Sequence, residues 1–262
     1  MLALESLVSG YHGARSVVVG ATTLNLAPGS FVCVIGRNGA GKSTLMRTIC
    51  GLQPALGGTA AIDGRVVSQM SARDRGRAVA VVTTDRVSSP GLIARDVVEL
   101  GRQPYTDWRG QLAAEDRRAV ANALRRAGAE PFAPKSFDSL SDGERQRVMI
   151  ARALAQSSQI MVLDEITAFL DLPGRVEVMA LLRRHAEATG TIVLLSSHDL
   201  ELSLELALEL WIVDDGELVR GAPDELVDQG AVARAFDSAD VTFDAERRRF
   251  VLREEGCGIT SI

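Results

Sequence analysis

The chain has 262 residues, 46% of them hydrophobic and 24% charged, with a formal net charge of -5. That length suits one large α/β domain, or one carrying a sizeable insertion. The missing basic excess and the 4% aromatic content argue against nucleic acid as a partner, and no apolar run approaches the roughly 20 residues that span a bilayer.

The first ten residues lack the basic start of a secretory signal. Cys33, Cys50 and Cys257 have no metal-ligand spacing and read as free thiols in a reducing compartment. Any membrane role is therefore expected to come through a partner.

Residues 1–27 alternate as strands do, with turn signals at Gly10 and Gly13, and Pro28-Gly29 makes a tight turn. Phe31 to Ile35 is a short apolar run rich in β-branched residues and predicts a buried strand. A glycine-rich loop follows, and a helix is expected from Lys42 to about Cys50. Thr59 to Ile62 and Ala78 to Val82 predict strands, with a short helix over Arg73 to Arg77 between them. From about residue 85 to 157 the pattern turns helical, with helices expected at Val97 to Leu100, Ala119 to Ala127 and Val148 to Leu154. Ile160 to Leu163 and Thr191 to Leu195 predict strands again, each after a helix, as in a parallel sheet with crossover helices. Asp215-Gly216 marks a hairpin, and Pro223 opens a last short helix. The basic run Arg247 to Arg249 predicts a solvated strand or turn face.

Three segments carry chemistry. Gly36-Arg37-Asn38-Gly39-Ala40-Gly41-Lys42-Ser43 fits a phosphate-binding loop between a strand and a helix. Its glycines let backbone N–H groups turn toward a phosphate, and the helix N-terminus adds partial positive charge. Lys42 is expected to reach the β- and γ-phosphates and the Ser43 hydroxyl to ligate Mg²⁺. The strand ending in Asp164-Glu165 supplies two adjacent carboxylates. Asp164 suits a magnesium ion held through water, and Glu165 suits a general base for the hydrolytic water. Ser141 and Glu144 form an S-x-x-E capping box, so a helix starts there, and Gly143 leaves room for a ligand near backbone amides, making its first turn a second anion site.

With the phosphate loop, Leu140-Ser141-Asp142-Gly143-Glu144-Arg145-Gln146 and the acidic pair some twenty residues later resemble the signature and Walker B segments of ABC ATPases. The resemblance runs from Tyr11 to about Leu226. It implies a phosphate-loop NTPase core with a mixed sheet, an N-terminal antiparallel β subdomain and a helical subdomain inserted at about 85–157, all within a single ABC ATPase domain spanning 1–262. It implies ATP and Mg²⁺ as cofactors. ATP is assigned to Tyr11, through stacking on adenine, and to Gly36, Asn38, Gly39, Ala40, Gly41, Lys42, Ser43 and Thr44. It implies a head-to-tail dimer in which Ser141, Asp142, Gly143 and Glu144 contact the ATP held by the second copy and Asp171 organises the dimer. His198 matches the histidine that contacts the γ-phosphate beside Glu165.

Three departures stand out. Where the family has a magnesium-ligating glutamine this chain has Thr84 followed by Asp85, and one of the two is expected to replace it. Asp142 stands at a usual glycine, with its side chain expected to turn away from the phosphates. Ile166 stands at a usual proline, and the expected effect is on loop stiffness.

The stretch Asp96-Val97-Val98-Glu99-Leu100-Gly101-Arg102-Gln103-Pro104-Tyr105 and the run Ser197-His198-Asp199-Leu200 are similar to ATPases serving ferric siderophores, haem and cobalamin. The expectation is the ATPase subunit of such an importer, at the cytoplasmic face of the membrane, with separate permease subunits and, indirectly, a substrate-binding protein. The alternatives are the ATPase of another ABC transporter type and an ABC switch acting on a cytosolic partner. An apolar groove on the helical insertion would favour transport, and the sequence leaves open whether Val97, Val98 and Leu100 line it.

Overall fold

The computed structural model describes residues 1–13, 16–83 and 90–252. Thr84, Asp85 and Cys257 lie outside the described residues, so the expected glutamine replacement has no structural account.

The N-terminal layer is an antiparallel sheet ordered β2-β1-β4-β5, built from β1 (Leu2–Tyr11), β2 (Ser16–Leu26), β4 (Gly57–Ile62) and β5 (Arg65–Val66). Gly10 is not a turn, as expected from sequence, but pairs with Val17 inside the β1–β2 ladder. The central sheet runs β10-β9-β3-β8-β7-β6 and takes β3 (Phe31–Ile35), β6 (Val79–Val82), β7 (Ile160–Asp164), β8 (Ile192–Ser196), β9 (Glu209–Asp214) and β10 (Glu217–Gly221). Its strands are parallel except for the β9–β10 hairpin at Asp215-Gly216.

The reason β3, β7 and β8 read as continuous apolar runs is burial on both faces. Alternate residues enter two different cores. Phe31, Cys33, Ile35, Met161, Leu163, Val193 and Leu195 face a large core shared with the helical layer. Val32, Val34, Ile160, Val162, Ile192 and Leu194 face a second core against the N-terminal sheet. Helix α1 (Lys42–Ile49) joins that second core through Leu45, Met46 and Ile49.

Helix α2 (Ala72–Ala78) leads into β6. The predicted helical block lies between β6 and β7 as α3 (Ala94–Glu99), α4 (Ala114–Arg126) and α5 (Asp142–Gln156). A buried ion pair within it joins Arg102 and Asp116: Nε donates to Oδ1 at 2.8 Å, and Arg102 Nη1 donates to the Ala155 carbonyl at 2.9 Å. The chain then passes through α6 (Leu172–Thr189), α7 (Leu200–Leu206), α8 (Pro223–Asp228) and α9 (Ala231–Phe236).

The expectation that the helix opened by Pro223 is the last one is overturned. Helix α9 follows, then a hairpin of β11 (Val241–Asp244) and β12 (Arg249–Leu252). Arg249 of the basic run begins β12. These strands are four residues each, the shortest run in which alternation can be read, and β11 alternates while β12 does not. What holds them is tertiary: Phe250 meets Phe236 and Phe243 edge to face, with centroids 6.0 and 5.6 Å away.

Candidate nucleotide site

The functional residues cluster because parallel strands end together. In register, Asp164 of β7 lies opposite Ser196 of β8, which lies opposite Val34 of β3. The phosphate loop, the acidic pair and His198 therefore leave neighbouring strands at one edge, the carboxyl edge where open α/β sheets bind ligands.

Gly36 opens the loop where β9 passes close by. A Cβ there would lie 2.3 Å from the Val213 carbonyl oxygen, so a side chain at this position would displace the strand. Lys42 is buried, and its ammonium donates to the Gly36 and Arg37 carbonyls at 2.8 and 3.2 Å. Burial pulls its pKa down, against the upward pull of Glu165 and Asp164. The Lys42 charge thus lies within the field of both carboxylates. Thr44 is buried one turn into the site, and its Oγ1 meets the Tyr11 hydroxyl at 3.1 Å. Tyr11 is 51% exposed.

Across the strand ends, one hydroxyl organises the acidic pair. Ser196 Oγ donates to Asp164 Oδ1 at 2.6 Å and accepts from the Glu165 N–H at 2.9 Å. Glu165 takes a left-handed φ of 53°, a conformation that costs a non-glycine residue about 1–3 kcal/mol and gathers at functional sites. Its Oε1 accepts a 2.7 Å hydrogen bond from His198 Nε2. Because a carboxylate only accepts, that nitrogen carries the proton. A cavity of about 260 Å³ lies here, lined by Glu165, Thr167, Ala168, Arg175, His198 and Asp199. Sequence reasoning missed Ser196 and Arg175. The strand-end position of Ser196 beside an acidic pair was the available signal, but only the register aligns it with Asp164.

Ser43 and Asp164 offer a hydroxyl and a carboxylate, hard oxygen donors that suit Mg²⁺, which binds few protein groups and keeps waters and phosphate oxygens.

The second predicted anion site is a separate construction. Ser141 is the N-cap of α5, with the reciprocal capping box to Glu144 in place. Lys135 Nζ also donates to Glu144 Oε1 at 3.0 Å. Asp142 occupies the first helical position. A Cβ on Gly143 would meet Leu170 and the Phe169 carbonyl only at 3.6 Å, so packing within one chain does not require glycine there. Asp171 caps α6, its Oδ1 accepting from Gly174 N–H at 3.1 Å. Ile166 is fully buried in the large core.

A glycine-rich strand-to-helix loop, a strand-end acidic pair and a histidine bonded to Glu165 meet at one sheet edge, the arrangement of a nucleotide-hydrolysing site of the phosphate-loop class. The family described as ABC transporter matches residues 19–168. The chain is 33% identical to a probable siderophore transport system ATP-binding protein of Bacillus subtilis, over 93% of this chain and 88% of that one. It is 34% identical to the achromobactin transport ATP-binding protein of Dickeya dadantii, over 89% and 86%. The dimeric cassette MJ0796, solved in a post-hydrolysis state with ADP and Pi, matches with a TM-score of 0.74 at 28% identity, over 85% of this chain and 99% of that one. The chain belongs to the ABC transporter ATP-binding family, and its activity is that of an ATPase.

Proposed function

We propose that the chain is the motor subunit of an importer for an iron complex or cobalamin, working from the cytoplasmic face of the membrane with separate permease subunits. The names of the siderophore and achromobactin relatives, and of a cobalamin import protein 38% identical over 82% of this chain, support that cargo class. The chain covers 54% of the cobalamin relative, so that comparison bears on the cassette alone.

The observation carrying the chemistry is the Glu165–His198 contact beside the Lys42 charge. In this reading, Gly36, Asn38, Gly39, Ala40, Gly41, Lys42, Ser43 and Thr44 wrap the phosphates and Tyr11 stacks on adenine. Ser43 and Asp164 would hold Mg²⁺, which supplies charge neutralisation at the β- and γ-phosphates. His198 releases Glu165 when it turns to the γ-phosphate, and the freed carboxylate takes a proton from the attacking water. Ser141, Asp142, Gly143 and Glu144 serve the ATP of a second copy in head-to-tail pairing, with Asp171 at the seam. The freedom of Gly143 from packing demands supports a ligand arriving from outside the chain.

For the partner, the support is a groove of about 530 Å³ between α2 and the helical block. Its lining is more polar than the apolar groove expected: Arg73, Gln103, Asp107, Arg152 and Gln156 stand beside Leu100, Pro104 and Trp108. Leu100 lines this groove, whereas Val97 and Val98 belong to the core. Trp108 is 87% exposed, and an amphipathic ring at a groove rim suits a docked helix. Among the described residues no helix is long and apolar enough to cross a membrane, so in this reading the permease is a separate chain.

The test is affinity purification of the tagged chain from gently solubilised host membranes. A polytopic membrane protein in about equal amount is the expected result. Recovery of soluble partners alone would replace the transport reading with that of a cytosolic ATP switch.

A further inference from the structure

The phosphate loop carries one side chain that none of these roles uses. Arg37 Nε donates to the Ala235 carbonyl at 2.9 Å, and its Nη2 donates to the Asp237 carbonyl at 2.7 Å. Both acceptors lie at the C-terminal end of α9, where helix carbonyls lack intrahelical partners. The main-chain carbonyl of the same residue accepts from Lys42 Nζ. Arg37 therefore touches the nucleotide lysine with its backbone and the C-terminal segment with its side chain.

The acceptors are themselves braced. The Asp237 carboxylate accepts from the Phe243 N–H at 2.8 Å and the Thr242 hydroxyl at 2.7 Å. Phe250 packs edge to face on Phe236 and Phe243. The hairpin thus stiffens the helix end that Arg37 grips. This unit lies outside the region that the family comparison matches, which ends at residue 168.

We propose that α9 with the β11–β12 hairpin is a clamp on the phosphate loop, and that Arg37 is the positioning residue through which it acts. A glycine-rich loop pays conformational entropy when it orders around a phosphate. A tether at residue 37 removes part of that cost before ATP arrives, so affinity for ATP depends on a segment distant in sequence. The proposal rests on the reading of Gly36 to Ser43 as the phosphate site.

The test titrates ATP and measures steady-state hydrolysis on the full chain for Arg37→Ala, Arg37→Lys, Phe250→Ala and the Arg37→Ala/Phe250→Ala double variant. Lys42→Ala serves as the reference for the loop itself. Arg37→Ala is expected to raise Kd and KM for ATP about fivefold with kcat within about twofold, the pattern of lost uniform binding. Arg37→Lys recovers part of the loss, because an ammonium group reaches one carbonyl and lacks the fork for two. Phe250→Ala weakens binding about threefold, and the double variant is no weaker than Arg37→Ala, because both cut one link. Should Phe250→Ala fail to fold by circular dichroism, Phe250→Leu takes its place. Unchanged ATP affinity in Arg37→Ala, or fully additive losses in the double variant, overturns the clamp. Wild-type ATP affinity in Lys42→Ala overturns instead the phosphate-loop reading beneath it.

Discussion

Ser196 shows how a single hydroxyl separates the duties of two neighbouring carboxylates. By holding Asp164 Oδ1 and the Glu165 N–H at once, it pins the first carboxylate toward the β8 strand end. The left-handed backbone at Glu165 then sends the second to His198. The strain is tolerated because Ser196 on one side and the buried Ile166 on the other over-determine the turn. Glu165→Gln removes the proton acceptor and keeps the side-chain shape. ATP binding should survive while kcat falls at least about 100-fold, the scale of general-base loss. Phosphate release and nucleotide titration measured on the same sample check it. The residue types of this site were legible in the sequence, because strand-loop-helix and strand-acidic-pair patterns are local. Ser196 was not, since its part comes from strand register.

At the scale of elements, the helical block changes the meaning of the Gly101-Arg102-Gln103-Pro104-Tyr105 stretch. A Cβ on Gly101 would lie 2.4 Å from the Arg152 carbonyl oxygen of α5. Arg102 is buried against Asp116, and its guanidinium stacks 3.9 Å from the centre of the Tyr105 ring. The stretch that suggested an iron-complex class is thus largely a packing device that docks α3 and α4 onto α5, and its Leu100, Gln103 and Pro104 line the groove. Removing one member of a buried pair leaves the other charge uncompensated. Asp116→Ala should therefore lower unfolding free energy by about 3 kcal/mol, read from urea melts. The same variant with unchanged stability would mean that the pair is not a keystone of the block. The periodicity of α4 and the capping box of α5 announced these helices, whereas the four-residue strands β11 and β12 gave only a minimal signal, and aromatic contacts within the hairpin and to Phe236 of α9 secure them.

Across the whole molecule, the helical block is tied to the core by an unusual polar contact. Arg126 of α4 donates from Nη2 to His185 Nδ1 of α6 at 3.0 Å. Burial, helped by the Arg126 charge, pushes the His185 pKa down from 6.5 to about 4. An unfolded histidine takes up its proton near pH 6.5, while the folded ring refuses it until about pH 4. This contribution to stability is complete above pH 6.5 and declines as the pH falls from there toward 4. His185→Gln keeps an acceptor for Arg126 and does not titrate, so its melting temperature should fall less than that of the native chain between pH 6.5 and about 5, above the carboxylate range. Parallel slopes for the two proteins would remove His185 from the acid response. On the same scale, the proposed sandwich predicts that Glu165→Gln with ATP and Mg²⁺ runs as a dimer in light scattering, and a monomer at saturating nucleotide would count against it.

The sequence by itself determined the class of chemistry, because phosphate loops, capping boxes and buried acidic strands are written in contiguous residues whose spacing follows backbone geometry. It also announced most of the strands and helices in their order along the chain, though not their order across the central sheet. Only the tertiary structure decided which strand ends meet, which hydroxyl bridges the acidic pair, that Leu100 rather than Val97 and Val98 faces the groove, and that the C-terminal end of α9 lies against Arg37. Those facts rest on pairings between residues far apart in the chain, and their cost in loop closure is met by burial of the two cores together, which no local pattern records.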